Sequence, residues 1–356
     1  MHLSFHRPVL LLACLLLVGL SIASCGGSAT PSPTTSMTLK VGTITDAVPF
    51  FPFYVAREKN FFKAQGLTLD PAVPPLLGSG AKLSTAIEAN GIEVAVGGVH
   101  DAFTVSRIDT SIRFIGAVNN GFLIDVVMGK NFAQQTHLTA TSSLADKVKA
   151  LVGKKIGISA PGSSTDALLT YLFRQQGLDA LKDATKVNLG ASVTTDLAAL
   201  QAGRVDAIVV AAPGGEIARA QGFGDILISP TRGDVPSMQG QLFEVAFTKQ
   251  QVIDSKPQAV QAFIRALVQA DTFIQNNPDQ ALVLLEKYLH LNAKTGAIAW
   301  NAAKASMPQS PLISQAAYDT ANEFEVKAGL LAIALPYKDL VASDTINKAL
   351  SGMPGS

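Results

Sequence analysis

Charge is scarce in this chain of 356 residues: 15% are Asp, Glu, Lys or Arg, and the formal net charge is +1. Without basic runs there is no electrostatic footprint for nucleic acid or for an anionic membrane surface, so neither is expected as a direct partner. Cysteine is nearly absent. Cys14 lies within an apolar run and Cys25 at its end, which leaves no pair for a disulfide framework in the body of the chain. The histidines of the body, His100, His137 and His290, are far apart in sequence and suggest no metal cluster. Neither metal nor cofactor is expected. What the chain has in quantity is apolar residues, 48% of the total, enough for the packed cores of two domains.

The N-terminus reads as a targeting signal: "MHLSFHR" carries positive charge and "PVLLLACLLLVGLSIAS" is an apolar run ending in small residues. "SIASC" at 21–25 resembles a bacterial lipobox, in which the cysteine thiol receives a diacylglycerol and becomes the mature N-terminus. Residues 1–24 are therefore read as a lipoprotein signal peptide, with Cys25 as the lipidation site. "GGSATPSPTTS" follows, a Gly/Ser/Pro/Thr tract with nothing to bury, so residues 25–37 read as a flexible tether. These features place the protein outside the cytoplasm, held by lipid at the outer face of the cell membrane or in the periplasm.

Internal repetition organises the body. "AIEANGIEVAV" (86–96) and "ALQAGRVDAIV" (199–209) align without a gap at an offset of 113 residues. Each reads as the last turn of a helix, a stop, an acidic residue and an apolar strand, with Asn90 and Gly203 at the stop, where left-handed backbone ends a helix. Upstream, "LKVGTIT" matches "KKIGISA" and "KAQGLTL" matches "RQQGLDA" in the same order. Two βαβ-type units result, each with a mainly parallel sheet flanked by helices. Two apolar strands, "LIDVVMG" (123–129) and "LFEVAFT" (242–248), read as crossings between the lobes, running side by side as a double hinge. The expected division is lobe one at 38–128 plus 244–356 and lobe two at 129–243. C-terminal helices with one-face apolar spacing, beginning at Pro257 and after Asn277, are expected to wrap lobe one.

In open sheets of this kind, ligands sit outside the carboxyl ends of the strands. That nominates "TDAVPFFPF", "LLGSGAK", "GGVHDA", "APGSSTDA" and "AAPGGE". "PGSSTDA" is not a Walker loop, because no Lys precedes its hydroxyl residues. Gly162, Ser163, Ser164 and Thr165 at a helix N-terminus suit an anionic or strongly accepting group, or else provide an ordinary N-cap. Pro49, Phe50, Phe51 and Phe53 read as a stiff aromatic wall, with at least one ring expected in the core. Asp46 either accepts from a ligand or caps the next helix. Ser79, Gly80 and Gly98 belong to the same set of loops, and His100 either faces the cleft or makes a structural hydrogen bond. Asn120 and Asp125 flank the first crossing, and Pro213, Gly214 and Glu216 open a helix after a strand. Arg107, Arg113 and Arg232 are the basic residues to check near the cleft, and none of them falls within these five loops, which favours a neutral or mixed aromatic–polar ligand over an anion held by a direct ion pair.

With these landmarks, the chain resembles substrate-binding proteins of ABC importers, in the group that binds aliphatic sulfonates, nitrate, taurine and thiamine pyrimidine precursors. The segments that carry the resemblance are "FPFYVAREKNFFKAQGLTL", "LSTAIEANGIEVAVGG", "GKKIGISAPGSSTDALL", "DLAALQAGRVDAIVV" and the helices from Lys256 to Leu289. The resemblance implies a two-lobed periplasmic-binding fold of the second type, with the 163–165 segment lining the cleft. It further implies a monomer that closes on a small-molecule solute and delivers it to ABC permease and ATPase subunits without catalysis. The competing readings are an enzyme of the same fold acting on a pyrimidine or aromatic-acid precursor, and a surface sensor. If Cys25 carries the lipid, Cys25→Ala releases the protein from membrane fractions; unchanged retention on fractionation would contradict the assignment.

Overall fold

The computed structural model describes residues 37–351 and 353; the signal peptide, Cys25 and all of the tether except Met37 lie outside the described residues. Eleven strands occur among them: β1 (Met37–Leu39), β2 (Val41–Thr43), β3 (Leu67–Leu69), β4 (Val94–Gly98), β5 (Ile112–Asn120), β6 (Ile124–Gly129), β7 (Lys155–Ile158), β8 (Thr185–Asn188), β9 (Ala207–Ala211), β10 (Gly224–Ile228) and β11 (Leu242–Lys249). A four-stranded sheet has the order β2-β4-β11-β5, a five-stranded sheet the order β10-β6-β9-β7-β8, and β1 pairs with β3.

The sequence repeat is visible in this order. β1 and β2 are separated by Lys40 alone, so they continue one line that pairs with β3 on one side and β4 on the other. The first sheet then reads β3-(β1/β2)-β4-β11-β5, and the second reads β8-β7-β9-β6-β10. In both, a strand arriving from the other sheet is inserted between the last repeat strand and the edge. Asn90 (φ 57°) and Gly203 (φ 66°), the two helix stops, both adopt left-handed backbone.

Two expectations change here. The sheets are mixed rather than mainly parallel: β2–β4, β7–β8 and β7–β9 are parallel, whereas β6 and β11 run antiparallel to both neighbours, because each enters its sheet from the other lobe. The crossing itself falls at residues 121–123, so β6 belongs entirely to the second sheet and the boundary expected at 128/129 moves upstream. β6 and β11 do not pair with each other, but the segments leading into them do meet. The Gly121 N–H donates to the Gln241 carbonyl at 2.7 Å, and the Phe122 and Phe243 rings lie 4.6 Å apart. The double hinge is thus a contact at the mouth of the two strands.

The long helix Pro257–Asn276 starts at a proline, whose missing N–H is not needed in a first turn. Its apolar face, including Phe263, Ile264 and Leu267, packs on the first sheet and on helices Phe51–Glu58 and Ser343–Leu350. Later helices reach the second lobe too: Ala293–Ala303 packs on Gly214–Ala220, and Gln315–Lys327 on Ser164–Gln175. The C-terminal segment therefore spans both lobes and does not wrap the first alone.

Asp271 is an anomaly in this core. It is 1% exposed, and neither carboxylate oxygen has a hydrogen-bond partner, so burial holds its carboxyl well above the usual carboxylate range. A raised acid favours folding at low pH, and that contribution disappears as pH rises from about 4 through its folded value. Asp271→Asn should therefore match wild type near pH 4 and gain a thermal midpoint a few degrees higher at pH 7.5. The free-energy difference should grow by up to about 1.4 kcal/mol per pH unit. A variant difference that does not vary with pH would contradict this.

Candidate functional site

A cavity of about 90 Å³ lies between the two sheets. It collects the carboxyl ends of the repeat strands: Ile44 and Thr45 just past β2, Ser159 past β7, and Ala211 at the end of β9. Helix N-termini close it, with Ser79 and Gly80 on one side, Ser163–Thr165 on another, and Val193 with Asp196 on a third. Pro49, Phe50, Ile124 and Phe243 supply apolar walls. A pairing irregularity between β11 and β5 falls at Phe243 and Glu244, and both side chains line the cavity, which the strict alternation of a regular strand would prevent.

Of the residues nominated from sequence, Pro49, Phe50, Ser79, Gly80, Ser163, Ser164 and Thr165 line this cavity. The "PGSSTDA" loop caps its helix and also borders the cavity. Ser163 is the N-cap, accepting from the Asp166 N–H, and its hydroxyl donates to the Ala160 carbonyl at 2.7 Å while facing the cavity. Thr165 Oγ1 accepts from the Ser159 N–H at 2.9 Å. Gly162 has left-handed backbone (φ 73°) and turns its carbonyl toward the other lobe.

The remaining candidates lie elsewhere. Phe51 and Phe53 are core: a helix begins at Phe51, so consecutive rings diverge, Phe51 against Tyr54, Tyr288 and Trp300, and Phe53 against Phe62 and Phe263. Asp46 is exposed and, with Pro213, lines a neighbouring cavity of about 270 Å³ beside Tyr288 and His290. Gly214 packs on Val210. Strand alternation turns Asp125 away from Ile124 and the cavity, toward Ser229, Arg232 and Glu216; burial and the Glu216 charge push it up to about 8. Glu216 lines a separate groove with Arg219 and Arg232. Asn120 ends β5 opposite Leu242, outside the lining. Gly98 stands behind the wall, where an added Cβ would come within 3.0 Å of both Asp101 and Ser164.

His100 is buried and bridges the lobes. Its Nδ1 lies 2.8 Å from Glu325 Oε2 and its Nε2 2.9 Å from the Gly162 carbonyl oxygen. Both partners are acceptors, so both ring nitrogens donate and the ring is an imidazolium. Burial alone would lower its pKa, but the charge and hydrogen bond of Glu325 lift it to about 9. Two further contacts tie the lobes: Thr45 Oγ1 donates to the Ala191 carbonyl at 3.0 Å, and the Val48 N–H to the Ala212 carbonyl at 3.3 Å.

Three carboxyl groups dominate the lining: Asp101, Asp196 and Glu244, with no Lys, Arg or His among the lining residues. Asp101 rests on Gly80, where an added Cβ would sit 1.6 Å from its Oδ1, so only glycine admits it. Burial raises Asp101 to about 6 against the opposing pull of His100. Burial alone raises Asp196 to about 8, and burial with the Asp101 charge raises Glu244 well above the usual range. Asp196 and Glu244 were not nominated from sequence, although signals existed. Glu244 interrupts an apolar strand, and at the repeat offset of 113 Asp196 falls on Leu83, a fully buried core residue of the first lobe.

Comparison with known proteins agrees with this architecture. YtlA of Bacillus subtilis (strain 168), named as a binding protein, is 22% identical over 341 residues, covering 88% of this chain and 90% of its own. The alkanesulfonate-binding protein SsuA from Xanthomonas axonopodis pv. citri superposes with a TM-score of 0.65 at 17% identity, over 86% of this chain and 98% of that one. The nitrate-binding protein NrtA from Synechocystis PCC 6803 gives 0.67 at 15% identity, over 90% of each. The fold is the generic two-lobed periplasmic-binding fold. The family model described as NMT1-like matches residues 30–286, and the chain belongs to the NMT1-like family.

Proposed function

We propose that this protein is the lipid-anchored, exported solute receptor of an ABC importer, which captures a small molecule by closing its lobes and passes it unchanged to permease and ATPase subunits. Cys25 carries the anchor, and residues 25–37 give the reach needed to meet a permease. The first lobe comprises the β1–β5 region with β11 and most of the C-terminal helices; the second comprises β6–β10. The observation that carries the reading is the cavity between the two sheets, lined from both at strand ends. A ligand there touches both lobes, so its binding energy favours the closed arrangement over an open one. The names of the similar solved proteins, importer components and binders of alkanesulfonate or nitrate, support the same class. No described helix is long and apolar enough to cross a membrane, which suits a protein held by an anchor.

An enzyme on this fold needs a nucleophile or a free acid–base group at the cavity. Both cysteines, Cys14 and Cys25, precede the described residues, and His100 has each ring nitrogen committed and does not line the cavity. Asp101, Asp196 and Glu244 do supply acid–base groups there, so it is the similarity to proteins named as binders that sets the receptor reading ahead of the enzyme.

A thermal-shift and small-angle scattering screen across nitrate, sulfonates, amines, pyrimidines and aromatic acids should find compounds that raise the midpoint and contract the particle. Stabilisation without contraction would contradict lobe closure. The His100 bridge makes its own prediction. A raised histidine stabilises fully below about pH 6.5, and that contribution is lost as pH rises through about 9. The midpoint of wild type should thus fall more steeply than that of His100→Gln between pH 6.5 and 9, by up to about 1.4 kcal/mol per pH unit. Parallel curves would remove His100 as a charged bridge.

A further inference from the structure

The cleft contains two carboxyl groups, Asp196 and Glu244, on which no cation among the described residues acts. Glu244 Oε2 and Asp196 Oδ1 are enclosed without a hydrogen-bond partner, both side chains are 4% exposed, and both line the cavity. They come from opposite lobes, Glu244 from β11 and Asp196 from the helix Val193–Gln201 that packs on β7 and β9. Asp101 joins them beside Gly80. The nearest cation, His100, is held by Glu325 and is directed at a backbone carbonyl. Resting on the receptor reading, we propose that the solute is a small organic cation, an amine or amidine, whose charged head is received by Glu244, Asp101 and Asp196 together.

The size follows from the cavity. At roughly 10–15 Å³ for each water-sized group, 90 Å³ accommodates about six to nine non-hydrogen atoms in the closed form. Phe50, Phe243, Ile124 and Pro49 meet the apolar body of such a molecule, and cation–π contact with the rings adds to its recognition. An anion would face three acids and no lining Lys or Arg, whereas a cation supplies the charge that both lobes lack. It replaces protons: in the empty cleft burial favours the protonated form of Asp196 and Glu244, and the incoming charge lets them ionise. The titratable groups facing them are His100 and Glu325 beside Asp101, and Asp101 beside Glu244; burial alone acts on Asp196.

The experiment uses the purified full chain with matched probes: benzylamine and benzamidine against benzyl alcohol, benzoate and benzenesulfonate. Titration calorimetry at pH 7 in buffers of different ionisation enthalpy should show the amines binding with release of protons. Glu244→Gln and Asp196→Asn should each weaken amine binding by at least about tenfold and diminish the proton release, while their thermal midpoints stay at or above wild type. Binding of benzoate, benzenesulfonate or the alcohol in preference to the amines overturns the cation assignment and leaves the receptor reading standing. Amine binding unaffected by either variant overturns it as well. Absence of any stabilising probe in all charge classes removes the receptor reading and the proposal together.

Discussion

Ionising a carboxyl group in an enclosed, water-poor space costs several kcal/mol unless a positive charge or several donors meet it, and three such groups surround this cleft. Asp101 and Glu244 belong to one lobe and Asp196 to the other. Asp101 acts on Glu244 within the first lobe, whereas burial alone acts on Asp196 in the second. His100 is the complementary piece. It is paired with Glu325 and hydrogen-bonded to the Gly162 carbonyl, so it ties the two lobes, and its charge also acts on Asp101.

The duplicated topology makes this arrangement possible. Each lobe presents strand carboxyl ends and helix N-termini, and because each sheet accepts a strand from the other, the two faces are brought opposite each other. The contact of Gly121 with Gln241 and of Phe122 with Phe243 joins the two connecting segments beside the cavity, since Phe243 takes part in that contact and lines the wall. Thr45 and Ala191, which also line the cavity, form a second contact between the lobes.

Much of this was legible in the sequence, for definite reasons. The gapless repeat at 113 residues predicts two like lobes because the helix stops Asn90 and Gly203 need the same rare backbone. Strand-end loops are nominated by chemistry that depends on local order alone, and Pro49, Phe50, Ser79, Gly80 and Ser163–Thr165 do reach the cavity. What the sequence conceals is direction. Whether Phe51 follows Phe50 into the cleft or into the core depends on where a helix starts, and Asp125 differs from its neighbour Ile124 by which face of β6 it occupies. Glu244 reaches the site through an irregularity in pairing that no periodicity foretells.

Asp196 illustrates how a repeat can be read more closely. Two copies of one unit share the residues that build the unit, so a position where one copy keeps a buried leucine and the other an acid has been released from the common structural role. Leu83 fills the first lobe beneath Gly97, where an added Cβ would meet its side chain at 2.4 Å. At the matching place in the second lobe the chain accepts an enclosed carboxyl group with an unpartnered oxygen. Such a substitution weakens the unliganded fold. On the proposed receptor reading its compensation comes from the molecule that fills the cavity, and that difference between the copies gives the cleft its polarity.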